Sequence, residues 1–258
     1  MDSAKNHYIL AEKLWSDKNY EASVKEFERV ISKENSGKLG IQALYRAAMT
    51  QALFLAQYPE AIKKFENFVQ RTNDPQLAWE AKLQIGDLLF SKLERYQNTI
   101  EHYRTLLKEK PEAVETPEFR YRIAKSQFYL LRFQEAIDSF QQLRNFYPKS
   151  SWSEKASFEL GDTYLTWGEQ EQASGNKTDK TLLTSIKVFE SFLKEYPNSS
   201  LVPQARFGIA SSLETLDRLD EALQIYQSLK GNYIDPRVIE IKLHRITERI
   251  NHKKRNKS

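Results

Sequence analysis

Hydrophobic and polar positions along the chain repeat one short pattern six times: a bulky residue, a small one three places on, an aliphatic at four and an aromatic at seven. It reads Tyr20-Ser23-Val24-Phe27, Tyr58-Ala61-Ile62-Phe65, Tyr96-Thr99-Ile100-Tyr103, Phe133-Ala136-Ile137-Phe140, Leu182-Ser185-Ile186-Phe189 and Leu219-Ala222-Leu223-Tyr226. Three residues past each aromatic stands another apolar residue: Val30, Phe68, Leu106, Leu143, Phe192 and Leu229. Apolar positions at this spacing form one stripe of an amphipathic helix. The aromatic anchors lie 38, 38, 37, 49 and 37 residues apart. A fixed period in that range predicts stacked supersecondary units, each burying its apolar face against the next.

The repeated block is the second helix, B, of a pair. Upstream, Ala-x-x-x-(Leu/Ile)-(Gly/Ala) marks a first helix, A, at Ala81 to Gly86, Ala156 to Gly161 and Ala205 to Ala210, with looser copies at Ala43 to Ala48 and Phe119 to Ala124. Glycine inside a helix costs about 1 kcal/mol, so Gly86 and Gly161 at equivalent places predict a close backbone crossing. Pro111, Pro148 and Pro197 close B helices, and Pro75 opens an A helix.

These motifs resemble the tetratricopeptide repeat, with the sixth unit carrying it at Ile209-Ala210, Ala222 and Tyr226 and the fourth at Ala124, Ala136, Phe140 and Pro148. The resemblance covers residues 4–230 and implies an all-α, right-handed α-solenoid of about six helix hairpins plus a C-terminal capping helix. The expected array is 1–233, with units near 4–33, 38–72, 75–110, 117–147, 151–196 and 200–231. Units two and three carry one extra residue between their helices. Unit five holds a polar insertion, 169–181, expected to lengthen helix A slightly and then loop out. A capping helix is expected over 234–252 and a disordered basic tail over 253–258. The apolar seam Ile239, Leu243, Ile246 and Ile250 covers the end of the array or, alternatively, pairs with a second copy.

Composition narrows the function. The net charge is +4, but the segment from Pro236 onward carries eight Lys or Arg against Glu240 and Glu248. The array itself is therefore slightly acidic, which argues against a nucleic-acid surface. With no cysteine, thiolate chemistry and disulfides are excluded. No apolar run reaches a membrane span, and Met1-Asp2-Ser3 leads straight into an amphipathic helix without a signal peptide. His7, His102, His244 and His252 share no ligand-like spacing. Gly175-Asn176-Lys177-Thr178 lacks the upstream glycine and strand of a phosphate loop, and the sequons at Asn176 and Asn198 are the kind that arise by chance. No enzyme is expected, and no cofactor or metal.

In the family resembled, helix A lines a concave groove that binds extended or helical peptides. That resemblance implies a groove of Tyr45, Glu80, Leu83, Asp87, Phe90, Glu118, Tyr121, Lys125, Phe128, Phe158 and Asp162, of which about half the aromatics are expected to be core. Co-chaperones of this family hold acidic C-termini with Lys and Asn where this chain has Tyr8 and Glu12, then Tyr45 and Met49. The implied partner is a neutral or basic protein segment, with no nucleic acid, and the protein a monomer or weak dimer. The linkers Tyr147-Pro148-Lys149-Ser150 and Tyr196-Pro197-Asn198-Ser199 resemble the bacterial cell-envelope branch, which includes outer-membrane-assembly lipoproteins of the BamD type and the Tol-Pal-associated periplasmic coordinator. The function expected is a non-enzymatic scaffold or adaptor in an envelope complex. The alternatives are self-assembly through the C-terminal helix, or a cytoplasmic regulatory docking module.

Overall fold

The computed structural model describes residues 3–34, 37–176 and 179–256. Met1 and Asp2, the Lys177-Thr178 part of the insertion and its sequon, and the last two tail residues lie outside it. The described residues form paired helices: α1 (Ala4–Ser16) with α2 (Tyr20–Lys33), α3 (Lys38–Leu53) with α4 (Tyr58–Arg71), and α5 (Pro75–Asp87), extended by a π turn at Leu88–Lys92, before α6 (Tyr96–Glu109). Then follow α7 (Thr116–Tyr129) with α8 (Phe133–Phe146), α9 (Ser151–Ala173) with α10 (Lys180–Glu195), α11 (Val202–Thr215) with α12 (Leu219–Ser228), and the closing helix α13 (Pro236–Arg255). The chain divides into two compact units, one ending at His102 and the other beginning at Tyr103, within α6. Inside each unit, consecutive helices pack against one another and alternate helices touch, as α1 does α3, α7 does α9 and α9 does α11. This is a tetratricopeptide-like solenoid arrangement of helix hairpins.

The six predicted small positions, Ser23, Ala61, Thr99, Ala136, Ser185 and Ala222, are all fully buried, as are the aromatic anchors. Where the small residue is serine, the close approach of B to A becomes a hydrogen bond, whereas the Thr99 hydroxyl bonds back to Arg95 O. Ser23 Oγ donates to the Ala11 carbonyl at 2.8 Å and Ser185 Oγ to that of Gly161 at 2.9 Å. The anchor Phe189 sits between two glycines: a Cβ on Gly161 would lie 2.6 Å from its ring, and one on Gly208 2.4 Å. Gly161 thus makes room for an aromatic ring.

Each A helix ends on a left-handed residue that sequence did not disclose. Lys18, Ala56, Glu94, Leu131 and Asp217 have φ between 51 and 61°, and Gly175 does this in unit five at 83°. The following N–H bonds back to the last turn, as Asn19 N to Leu14 O at 2.8 Å and Arg132 N to Gln127 O at 2.9 Å. This satisfies carbonyls that the helix end leaves open. In units two and three the donors Gln57 and Arg95 reach Gln51 O and Leu89 O, one residue further back. The extra residue of those units is thereby absorbed in a wider last turn, which in unit three is the π turn.

The insertion lengthens helix A and then leaves it: α9 runs 23 residues to Ala173, and α10 begins at Lys180. The basic tail expected to be disordered from 253 is helical through Arg255, and Lys253 pairs with Asp217. The seam packs on its own chain. Ile239 and Ile246 are 1% and 0% exposed, with Leu243 and Ile250 against the same cluster of Tyr226, Leu213 and Leu229. A dimer built on that seam would have to strip α13 from its own array.

Candidate functional site

The A helices carry the predicted groove residues, and all eleven are half-buried. In the first unit, Tyr45 packs edge-on to Phe65 and tilted over Phe68 at 5.0 Å between ring centres, and burial, then the Glu80 charge, raises its hydroxyl pKa. Glu80 accepts from Gln76, Asp87 from Ser91, and Phe90 meets Tyr96 edge to face. Leu83 is on the same helix, α5. Tyr45, Glu80, Asp87 and Phe90 are thus tied to partners on their own hairpins.

In the second unit, Glu118 pairs with Arg122 at 2.7 Å and Phe128 meets Phe133, the bulky first position of its B helix. Tyr121, Lys125, Phe158 and Asp162 come together. Glu159 organises them: Tyr121 donates its hydroxyl to Oε1 at 2.9 Å and Lys125 Nζ reaches Oε2 at 2.5 Å. The Lys125 ammonium also lies 4.4 Å from the Phe128 ring centre, where the ring face attracts it. Burial, then the Glu159 charge, pushes the Tyr121 hydroxyl far above its ordinary range.

Beside them opens a pocket of about 370 Å³, lined by Tyr121 of α7, by Ser151, Glu154, Lys155, Phe158 and Glu159 of α9, and by Ser200 and Leu201 ahead of α11. Phe158 forms its floor, held against Phe189 and Phe192 at 5.6 and 5.9 Å. Lys155 lies over the Trp152 ring at 4.2 Å. The pocket joins apolar rings to a charged rim, an arrangement suited to holding a side chain of another molecule. Among the described residues no group of three or more His, Asp or Glu is placed to hold a metal, and no helix is long and apolar enough to cross a membrane.

Sequence reasoning missed Glu159. It sits two residues before the Gly161 reference position, a row not included in the groove mapping. Including that row exposes a charge pairing at the α1–α3 and α7–α9 junctions, whereas the α3–α5 junction has Met49 and Gln84. One residue after the reference on one A helix pairs with two before it on the next: Glu12 takes both Nε and Nη2 of Arg46, at 2.8 and 2.7 Å, and Lys125 takes Glu159. At the α9–α11 junction the first position is Asp162 and the second is Gly208, which has no side chain to offer. Asp162 has no hydrogen-bond or ion-pair partner among the described residues. Burial and then the Glu159 charge raise its pKa, only partly countered by Lys125.

The last junction is neutralised from α13. Glu214 is buried, and burial alone would raise its pKa; hydrogen bonds from Lys242, at 2.9 Å, and Arg245 outweigh that and lower it. Arg249 stands 3.6 Å away as a third cation. Lys242, Arg245, Arg249 and Lys253 of the C-terminal segment are thus engaged with Glu214 and Asp217.

The tetratricopeptide repeat family matches this chain at residues 118–150 and again at 184–235. Among solved structures, a tetratricopeptide repeat protein from Parabacteroides merdae is 15% identical, with 99% of this chain and 90% of that one covered and a TM-score of 0.58. The C-terminal part of a TPR repeat-containing protein from Cytophaga hutchinsonii is 18% identical over 86% of this chain and 77% of that one, TM-score 0.57. PilW, a widely conserved type IV pilus biogenesis factor, is 13% identical over 95% and 98%, TM-score 0.53. No curated protein matches the sequence significantly. At identities this low the likeness carries the fold, and with the two matched segments it leads to one statement: the chain carries tetratricopeptide repeats within an array of helix hairpins.

Proposed function

We propose that the protein is a non-enzymatic scaffold that binds a segment of a partner protein on the A-helix face of its second unit. Tetratricopeptide repeats are generally an interaction fold that binds proteins or peptides, and the pocket beside Tyr121 and Phe158 carries the reading here. It offers aromatic surface with few rotors to freeze, framed by groups that orient a polar backbone. An envelope setting is supported by the two Tyr-Pro-x-Ser linkers, which resemble those of the bacterial envelope branch. Self-assembly through the C-terminal seam is disfavoured because Ile239 and Ile246 are already covered by their own chain.

A photo-crosslinking amino acid at Ser200, on the pocket rim, should trap a partner from native extract. The same group at Asp138, exposed on the B helix α8, should trap little. Equal trapping at both places would remove the A-helix face as the binding surface.

A further inference from the structure

The inner surface of α9 carries more carboxylates than its own chain pairs. Glu154 and Glu159 line the pocket with Lys155, and Asp162 and Glu169 follow further along α9, where Lys125 and Lys242 are the cations that act on them. Lys125 answers Glu159, and Lys155 lies over Trp152. Asp162 and Glu169, two turns apart on one face of α9, have neither a hydrogen bond nor an ion pair among the described residues. Desolvation is the first cause that raises both carboxyls; the Glu159 charge raises Asp162 further against Lys125, and at Glu169 the Lys242 charge opposes the rise ahead of the smaller effects of Asp162 and Glu214. Glu169 keeps exposed surface, so solvent weakens the effect there.

The repeat explains why the gap exists. In the α1–α3 and α7–α9 junctions a side chain of the next A helix supplies the countercharge. At α9–α11 that place is Gly208, and a Cβ there would collide with Phe189. The core interlock therefore bars this chain from answering Asp162 in register, and the vacancy faces the A-helix side beside an apolar pocket. A desolvated carboxylate without a partner is costly in the free protein.

Resting on the scaffold reading above, we propose that this face holds a basic peptide segment, with a lysine or arginine paired to Asp162 and Glu169 and a neighbouring apolar side chain in the pocket beside Tyr121 and Phe158. The partner's cation takes the place that Arg46 occupies at the α1–α3 junction. Its affinity falls with rising salt, because the pairing lies at a partly open surface.

The test selects peptides from a phage-displayed library of random dodecapeptides on the full chain and on the Asp162→Asn/Glu169→Gln variant. The full chain should enrich a lysine or arginine next to an aromatic or aliphatic residue. The variant should keep the apolar preference and lose the basic one, and should bind the selected peptide about tenfold more weakly by fluorescence anisotropy. Enrichment of apolar residues without a basic one, or the same basic preference on both proteins, overturns the charge assignment and leaves the pocket reading standing. Retention of no peptide by either protein overturns both. A melting temperature of the variant well below that of the natural chain also overturns the proposal, because the carboxylates would then serve the fold.

Discussion

The buried row on the B helices and the charged row on the A helices repeat at the same period but behave differently. On the B side every unit has the same solution: a small residue with no exposed surface, then an aromatic wedged between hairpins. On the A side the junctions differ: Glu12 pairs with Arg46, Lys125 with Glu159 and Glu214 with a helix outside the repeats, and Asp162 has no ion pair among the described residues. Packing between hairpins permits few alternatives, because voids and overlaps are both costly. Charges near water can be rearranged at little cost, so this row is free to diverge and to carry specificity.

The sharpest way to break that contrast is at the anchor. Phe140→Ala should cost about 3–5 kcal/mol in urea unfolding, because it empties a gap between hairpins. A cost near zero would mean the aromatic row is ornamental. Glu214→Ala comes next, at about 2 kcal/mol: it strands Lys242 and Arg245, though both cations reach water. Hydrogen exchange should then show α13 opening before the hairpins do. If α13 stayed as protected as before, its apolar seam alone would be holding it. Ala136→Leu should cost a similar or smaller amount, about 1–3 kcal/mol, by forcing α8 away from α7.

Smaller effects come from the turns. Leu131, with a positive φ and an exposed side chain, should tolerate glycine with a gain of up to about 1 kcal/mol, reduced by the freer unfolded chain. Gly175→Ala, at φ 83° with nothing near its Cβ, should lose about 1 kcal/mol for the same reason reversed. Calorimetry on the pair isolates backbone conformation from packing.

Asp162→Asn should be close to neutral, and its signature is the pH dependence. The folded pKa of Asp162 lies above its ordinary value. Its contribution is therefore complete below the ordinary aspartate range and is lost as pH rises through the elevated pKa. The variant should equal the natural chain in acid and match or exceed it near neutrality. Glu214 has the opposite sign: its lowered pKa makes its contribution present above the ordinary glutamate value and lost as pH falls through the depressed one. A variant at 162 that weakened the protein at neutral pH would erase the distinction between the two rows.

Sequence periodicity disclosed the hairpins, the six buried anchors and the seam of α13, because each depends on side-chain size at fixed spacing. It disclosed less of the site. Tyr121, Lys125, Phe158 and Asp162 were in the groove mapping. Tyr45, in the same row as Tyr121 and Phe158, packs like them on rings of its own hairpin but does not line the pocket beside Tyr121, and spacing along one helix does not distinguish such cases. Glu159 was missed because its partner lies on a different helix. The left-handed turns were hidden because five of the six use a residue other than glycine.

The 23 residues of α9 make it about 35 Å long, against about 21 Å for the 14 of α7. The added turns end with Glu169 and Glu171 near the C-terminus and no basic residue in the final turn. There the aligned peptide dipoles already present negative charge, so the carboxylates repel the end of the helix that bears them. The stretch around Gln170 and Gln172 should therefore be the part of α9 whose amides exchange with deuterium soonest, an unzipping point set by electrostatics and not by packing.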